Sequence, residues 1–249
     1  MSAPRLAVIG LALCLTACTD SSAGPQAPAE LLGPTVAVGN GTARSVVLKH
    51  GDAVSSIGVR LTDGALDGLP TTMPMTEWQL ALPDGVTVGP WDHLALDWNP
   101  GGHPPPQVYT VPHFDFHFYM ITPAQQMAIA GGPDTVTVPA ADVPADYASQ
   151  VESVPMMGVH WADTLAAEYH GHPFDHTLIY GFHQGQMIFV EPMVTAAFLG
   201  SGANFIGHVK QPAAFQRPGA YPTSYSVRHD ATAHTITVAL DSLVSHQGP

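Results

Sequence analysis

Between Pro112 and Met120 the chain reads PHFDFHFYM. Successive side chains on a β-strand point to opposite faces. On a strand, Phe114, Phe116 and Phe118 therefore share one face, and His113, Asp115 and His117 share the other. The phenylalanine face requires a core to cover it. The opposite face presents two imidazoles with a carboxylate between them. A helix would bring His113 and His117 together at i and i+4, but the aromatic alternation has the period of a strand. A chain built around this stretch needs a sheet with one apolar face and one face that carries chemistry.

The flanking sequence repeats that period. Thr42–Lys49 and Ser55–Leu61 alternate or carry β-branched residues, with His50-Gly51-Asp52 as the turn between them. Glu77–Leu82 precedes the turn Pro83-Asp84-Gly85. His93–Trp98 alternates, and Asn99-Pro100-Gly101-Gly102 must be a loop. Thr177–Phe182 and Gln186–Val194 read as a hairpin around His183-Gln184-Gly185, and Ser224–Arg228 with Thr235–Leu240 as a last hairpin. Gly and Pro number 24 each, so turns are frequent and long helices few. Two short helices are expected. One follows Thr122-Pro123 and stops at Gly131-Gly132; the other covers Asp163–Tyr169 and ends at Gly171. The fold class is mainly β, an antiparallel sandwich or barrel with two short helical insertions.

The N-terminus sets the compartment. Arg5 is followed by an apolar run, Leu6–Leu15, too short to span a bilayer, which takes about 20 residues. It fits the apolar region of a signal peptide. Leu15-Thr16-Ala17-Cys18 matches the lipobox of bacterial lipoproteins at all four positions, with Cys18 as the lipidation site. The competing reading is an ordinary signal peptide with a cysteine there by chance. The expected organisation is a signal peptide over 1–17, a flexible small-residue tether over 18–34, and one β-rich domain over 35–249. The protein is then exported and held to the cell envelope by its lipid, facing periplasm or exterior. Cys14 leaves with the signal peptide and Cys18 is acylated, so the mature chain keeps no thiol for a disulfide or a cysteine metal site.

Composition narrows function by exclusion. A formal charge of −13 argues against nucleic acid, which calls for a basic patch. An apolar content of 45% argues against disorder. The 14 histidines are twice the 7 Lys and Arg together, and histidine is the usual neutral metal ligand. No G-x-S-x-G, P-loop or H-E-x-x-H motif is present.

Strand geometry limits how the histidine face can work. Same-face neighbours lie about 6.6 Å apart and residues four apart about 13 Å. One ion can bridge Asp115 and His117, but His113 and His117 cannot easily share one on a straight strand. Asp115 is therefore an alternative ligand or the group that orients a ring. Downstream, His160 stands in Met157-Gly158-Val159-His160-Trp161, and Glu168, His170, His172 and His176 follow closely. The hairpin expectation puts Glu191 on one face with Met187, Phe189 and Met193, where a carboxylate needs a partner, a metal or a proton. The metal-ligand candidates are His113, His117, His160 and Glu191. Three nitrogens and a carboxylate suit a divalent transition ion: Zn, Fe, Mn or Ni. The competing reading is a polar network that fixes strand packing, with Glu191 salt-bridged to Arg60, Arg217 or Arg228.

Asp97-Trp98-Asn99-Pro100, Gly102-His103-Pro104-Pro105, Tyr109, Pro112–Met120, Met157–Trp161, Tyr180-Gly181-Phe182, Phe189–Met193 and Tyr221-Pro222 with Tyr225 form a pattern. Over about Thr42 to Leu243 it resembles a family of uncharacterised bacterial exported proteins. That family is typified by a Thermus protein under an extracytoplasmic sigma and anti-sigma system. The resemblance implies a β-rich fold, an exported setting and a ring-like homo-oligomer. It implies no catalytic residue. His103 lies in a loop leading into the His-Asp-His strand and is a further candidate for the same site. Three readings follow: a binding module for a metal or small ligand, a metalloenzyme, or a structural homo-oligomer whose histidines hold the core. The anchor is directly testable. Cys18→Ser should move the expressed protein from the membrane fraction to the soluble exported fraction; unchanged membrane retention would contradict lipidation at Cys18.

Overall fold

A computed structural model describes residues 27–149 and 152–248. Cys18, the expected signal peptide and residues 18–26 of the expected tether lie outside them. The remainder of that tether is not all linker. Ala29–Leu32 is a strand at the edge of a sheet, paired with Val46–Lys49 of the next long strand. Leu31 packs against the core there, which gives this short segment a reason to leave solvent.

Two seven-stranded antiparallel sheets form a sandwich. The first runs in the order Ala29–Leu32, Gly41–His50, Ala53–Thr62, Thr235–Asp241, Ser224–Asp230, Phe205–His208, with Val36–Val38 also pairing with Gly41–His50. Strands from both ends of the described chain thus meet in one sheet. The second runs Thr76–Leu80, His93–Asn99, His113–Tyr119, Gln186–Thr195, His176–His183, Val159–Asp163, Tyr147–Ser149. Gly219–Tyr221 and Val244–His246 form a small separate pair. The sheets meet through one apolar cluster. Phe114, Phe116, Phe118, Leu94 and Leu96 of the second sheet face Ile57, Val59, Leu61, Val238 and Leu240 of the first. Burial of these side chains is the main favourable term in the fold.

The other face of the second sheet is also covered, by connections rather than by a sheet. Ile121, Ile129 and Met157 pack with Tyr119 and Phe189; Tyr109 and Phe174 pack with Ile179 and Met193. All seven residues of His93–Asn99 and of His113–Tyr119 are consequently buried. The helix Pro123–Met127 begins with a capping box between Thr122 and Gln125, at the position expected. Its Gln126 is buried, accepting from His93 and Gln79 and donating to Glu77.

The second helix lies elsewhere than expected. Asp163 belongs to the strand Val159–Asp163, where it pairs with Tyr147, so Asp163–Tyr169 reduces to a turn and a 3₁₀ segment, Ala167–His170. The second α-helix is Ala196–Gly200, capped by the Thr195 hydroxyl. The hairpin also turns more tightly than expected. His183 pairs with Gln186, and Gln184 and Gly185 alone make the turn, both at positive φ (49° and 77°). A bulge follows. Phe182 pairs with Met187 and Gly181 with Phe189, leaving Ile188 extra. Met187 therefore enters the inter-sheet core instead of sharing a face with Glu191, while Ile188 and Phe189 both join the outer cluster.

Phe116 is fully buried in the middle of the inter-sheet core. Phe116→Ala should cost about 3–5 kcal/mol of unfolding free energy by denaturant titration; a cost below about 1 kcal/mol would be inconsistent with this packing.

Candidate metal centre

The strand His113–Tyr119 sits between two partners, and register places the polar residues. On one side Asp97 lies opposite Asp115, Asn99 opposite His113 and Ala95 opposite His117. On the other side the pairs Phe189–Tyr119 and Met193–Asp115 flank Glu191. Beyond that strand, His160 pairs with Gly181 and Ala162 with Ile179. Gly181 is needed here: a Cβ would stand 2.1 Å from the Phe189 ring. That ring packs edge-on against both His117 and His160, with centroids 4.7 and 5.4 Å away.

Six side chains sort into two groups, each with its potential ligand atoms within 4.8 Å of one another. In one, His117 Nε2 and His160 Nε2 approach Glu191 Oε2 at 3.5 and 3.6 Å. In the other, His113 Nε2 lies 3.2 Å from Asp115 Oδ1 and His103 Nε2 lies 3.5 Å from Asp115 Oδ2. His113 and His117 thus face different groups, in line with their separation along the strand. Asp115, expected as an alternative ligand, is central to one group. The loop of His103 folds back over the strand, closed by His103 N–H donating to the Tyr109 carbonyl.

All four imidazoles point Nε2 inward, and two of them, His113 and His103, are hydrogen-bonded from behind. His113 Nδ1–H donates to the Val111 carbonyl and His103 Nδ1–H to the Pro104 carbonyl, each at 2.7 Å. His117 Nδ1 lies 3.0 Å from Asp97 Oδ2. Carbonyls and carboxylates behind a ring fix its tautomer and leave the opposite lone pair for a metal. Asp115 is held similarly, accepting from Asn99 Nδ2 at 2.7 Å through Oδ2. Asp97 and Asn99 are not among the ligands expected from the sequence. They share the face of His93 and Ala95 in an alternating strand, so period-2 patterning marks them as inward polar residues.

The group is buried and short of positive charge. Asp97, Asp115 and Glu191 are each 3% exposed or less. Among the described basic residues, Arg60 pairs with Glu30, Arg228 with Asp241, Lys210 with Asp146 and Asp163, while Arg44 and Arg217 bind the carbonyls of Gly33 and Met120. Lys49 stands on a strand of the other sheet. The expected alternatives Arg60, Arg217 and Arg228 are thus committed away from Glu191, whose charged partners are imidazoles. His113 Nε2, Asp115 Oδ1, His117 Nε2 and Glu191 Oε2 have no aligned hydrogen bond within the protein.

The protonation pattern follows. Burial pushes Glu191 up to about 8, against the pull of His117, and Asp97 up to about 6. Burial alone would lower the His117 and His103 rings; Glu191 and Asp97 around the first, and Asp115 beside the second, outweigh it and raise both to about 9. His160 stays neutral, held down at about 3 by burial and by the neighbouring His117. Asp115 lies well below the usual carboxylate range, since the His113 and His103 rings overcome its burial. The field of Asp115 also reaches His117, His160 and Glu191, so the two groups form one electrostatic unit.

Other sequence candidates go elsewhere. His170 bonds the Thr164 carbonyl, His176 packs on Phe205, and Glu168 lies near the Tyr109 hydroxyl at 3.4 Å. Tyr109 and Phe174 instead supply cover, their rings packing against His103 and His113 respectively.

A family model described as TTHB210-like, hypothetical protein TTHB210, matches residues 50–98. The matched segment includes Asp97 but none of the six grouped side chains. No curated protein and no solved structure matches the chain. Over residues 50–98, the chain is similar to a family described only as hypothetical.

Proposed function

We propose that this is an exported, lipid-anchored metal-binding protein whose primary site is formed by His117, His160 and Glu191. The observation that carries the reading is the inward convergence of the His117 and His160 Nε2 atoms on the buried Glu191 carboxylate, with Asp97 3.0 Å behind His117. Two imidazoles and one carboxylate match sites for Zn or Fe, and also accept Mn or Ni. A divalent cation would neutralise carboxylates that no described lysine or arginine reaches. The lipobox at Leu15–Cys18 supports the anchored, extracytoplasmic setting. A second reading, a metalloenzyme, draws on the same geometry: three protein ligands leave coordination positions open to water or a small substrate, as in hydrolytic zinc sites.

Two measurements test the metal. Untagged protein, stripped with chelator and reloaded with Zn(II), should bind it with a stability gain of about 2.7 kcal/mol at a hundredfold excess over Kd. Asp97→Asn, which loosens the support behind His117, should weaken affinity about 10- to 100-fold while leaving the fold intact. No zinc, iron, manganese or nickel retained under any loading condition would end the proposal.

A third measurement is the pH dependence of the metal-free protein. Glu191, His103 and His117 hold protons to higher pH when folded than the ordinary values of 4.5 and 6.5. Between about pH 6.5 and 9 the folded chain therefore binds more protons than the unfolded one, and stability falls as pH rises. His160 works in the opposite sense, but only below about 6.5. The melting temperature of metal-free protein should decline across pH 6.5–9, and saturating Zn(II) should flatten the decline. A rising melting temperature in that window would contradict the site electrostatics.

A further inference from the structure

We propose that the protein holds two divalent transition ions, the second bound by His103, His113 and Asp115 in a position that exchanges more readily than the first. The proposal rests on the reading of His117, His160 and Glu191 as a metal site, and extends it to a neighbouring ligand set.

Geometry separates the two positions. His113 and His117 are four residues apart on one strand, about 13 Å along the backbone. His113 Nε2 turns to Asp115 Oδ1 at 3.2 Å and His117 Nε2 to Glu191 Oε2 at 3.5 Å, so the two rings serve different carboxylates. The ligand atoms accordingly fall into two sets and not one.

The second set is prepared as a ligand set in its own right. His113 is fully buried, and its Nδ1–H is committed to the Val111 carbonyl at 2.7 Å, so its Nε2 carries the free lone pair. Asn99 occupies Asp115 Oδ2, while Asp115 Oδ1 and His113 Nε2 are buried without an aligned hydrogen bond. Two imidazoles and one carboxylate select a borderline ion such as Zn, Fe, Mn or Ni. Calcium and magnesium prefer all-oxygen shells.

The two positions differ in access. Two of the three ligands of the first site, His117 and Glu191, are at most 1% exposed, and His160 is 15% exposed. In the second set the His103 side chain is 28% exposed and is carried on a loop rather than on the sheet. That loop depends on Gly102, at φ +68°, where a Cβ would meet the Tyr109 carbonyl oxygen at 2.1 Å. Release of His103 alone would open the second position to water without disturbing any strand, whereas the first position can open only through sheet residues.

The test uses untagged protein stripped with chelator, reloaded with Zn(II), freed of excess metal and analysed by mass spectrometry of the elements. Zinc release to a chromogenic chelator is followed in parallel. Wild type should retain two zinc ions per chain and release them in two phases. His103→Ala, a substitution on a half-buried loop residue, should retain one zinc and lose the faster phase. Asp115→Asn should do the same, and Glu191→Gln should lose the slower phase. Melting of the metal-free variants shows which have folded, and His103→Ala decides the matter if Asp115→Asn has not. One zinc per wild-type chain, lost in both carboxylate variants, would overturn the second site in favour of a single shared ion. Two zinc ions with unchanged stoichiometry and kinetics in His103→Ala would overturn the assignment to this loop. No zinc in wild type would instead overturn the primary reading.

Discussion

Three carboxylates buried against imidazoles, with no lysine or arginine beside them among the described residues, are the constraint around which the second sheet is arranged. An isolated buried carboxylate is among the costliest groups a protein can enclose. Here Asp97, Asp115 and Glu191 stand on adjacent strands of one face, and among the described residues every cationic partner within reach is a histidine. The cost rises because connecting segments, with Tyr109, Phe174, Ile129 and Met157, keep water from that face. A fold whose only task was stability would be served as well by leucines there, since replacing buried ionic groups with packed apolar ones is often neutral or favourable. Retaining the polar set makes sense where it binds something.

The opposite face makes the arrangement sustainable. Phe114, Phe116 and Phe118 anchor the histidine strand in the inter-sheet core, and Leu94 and Leu96 do the same for the strand carrying Asp97 and Asn99. Each polar side chain is therefore positioned by the apolar neighbour one residue away. A site built on paired strands holds its ligands more tightly than one built on loops. His103 is the exception, and its loop origin distinguishes the two ligand groups.

Much of this was legible along single strands. The alternation in PHFDFHFYM assigns both faces from local period alone, and the capping box at Thr122 announces its helix. What crossed between strands was harder to read. Asp97 meets His117 because two strands joined by a long loop adopt one register, and that register depends on packing across the whole sheet. Asp163–Tyr169 has helical composition, but pairing of Asp163 with Tyr147 claims its first residue for a strand, a case of tertiary contact overriding local propensity. Likewise, nothing local to Met187 signals the extra residue that turns it into the core.

That extra residue, Ile188, has a wider consequence. In a strictly alternating strand a shift of one position exchanges every inward side chain for an outward one. The bulge breaks this dependence within one hairpin. The turn at Gln184-Gly185 and the segment that carries Glu191 keep separate phase, so the tip follows its own packing while the base remains matched to the histidine strand. The bulge also adjoins the site itself: Gly181 and Phe189, the pair on its inner side, carry the ring that packs on His117 and His160, so the point where the hairpin changes phase is the point that seats both imidazoles.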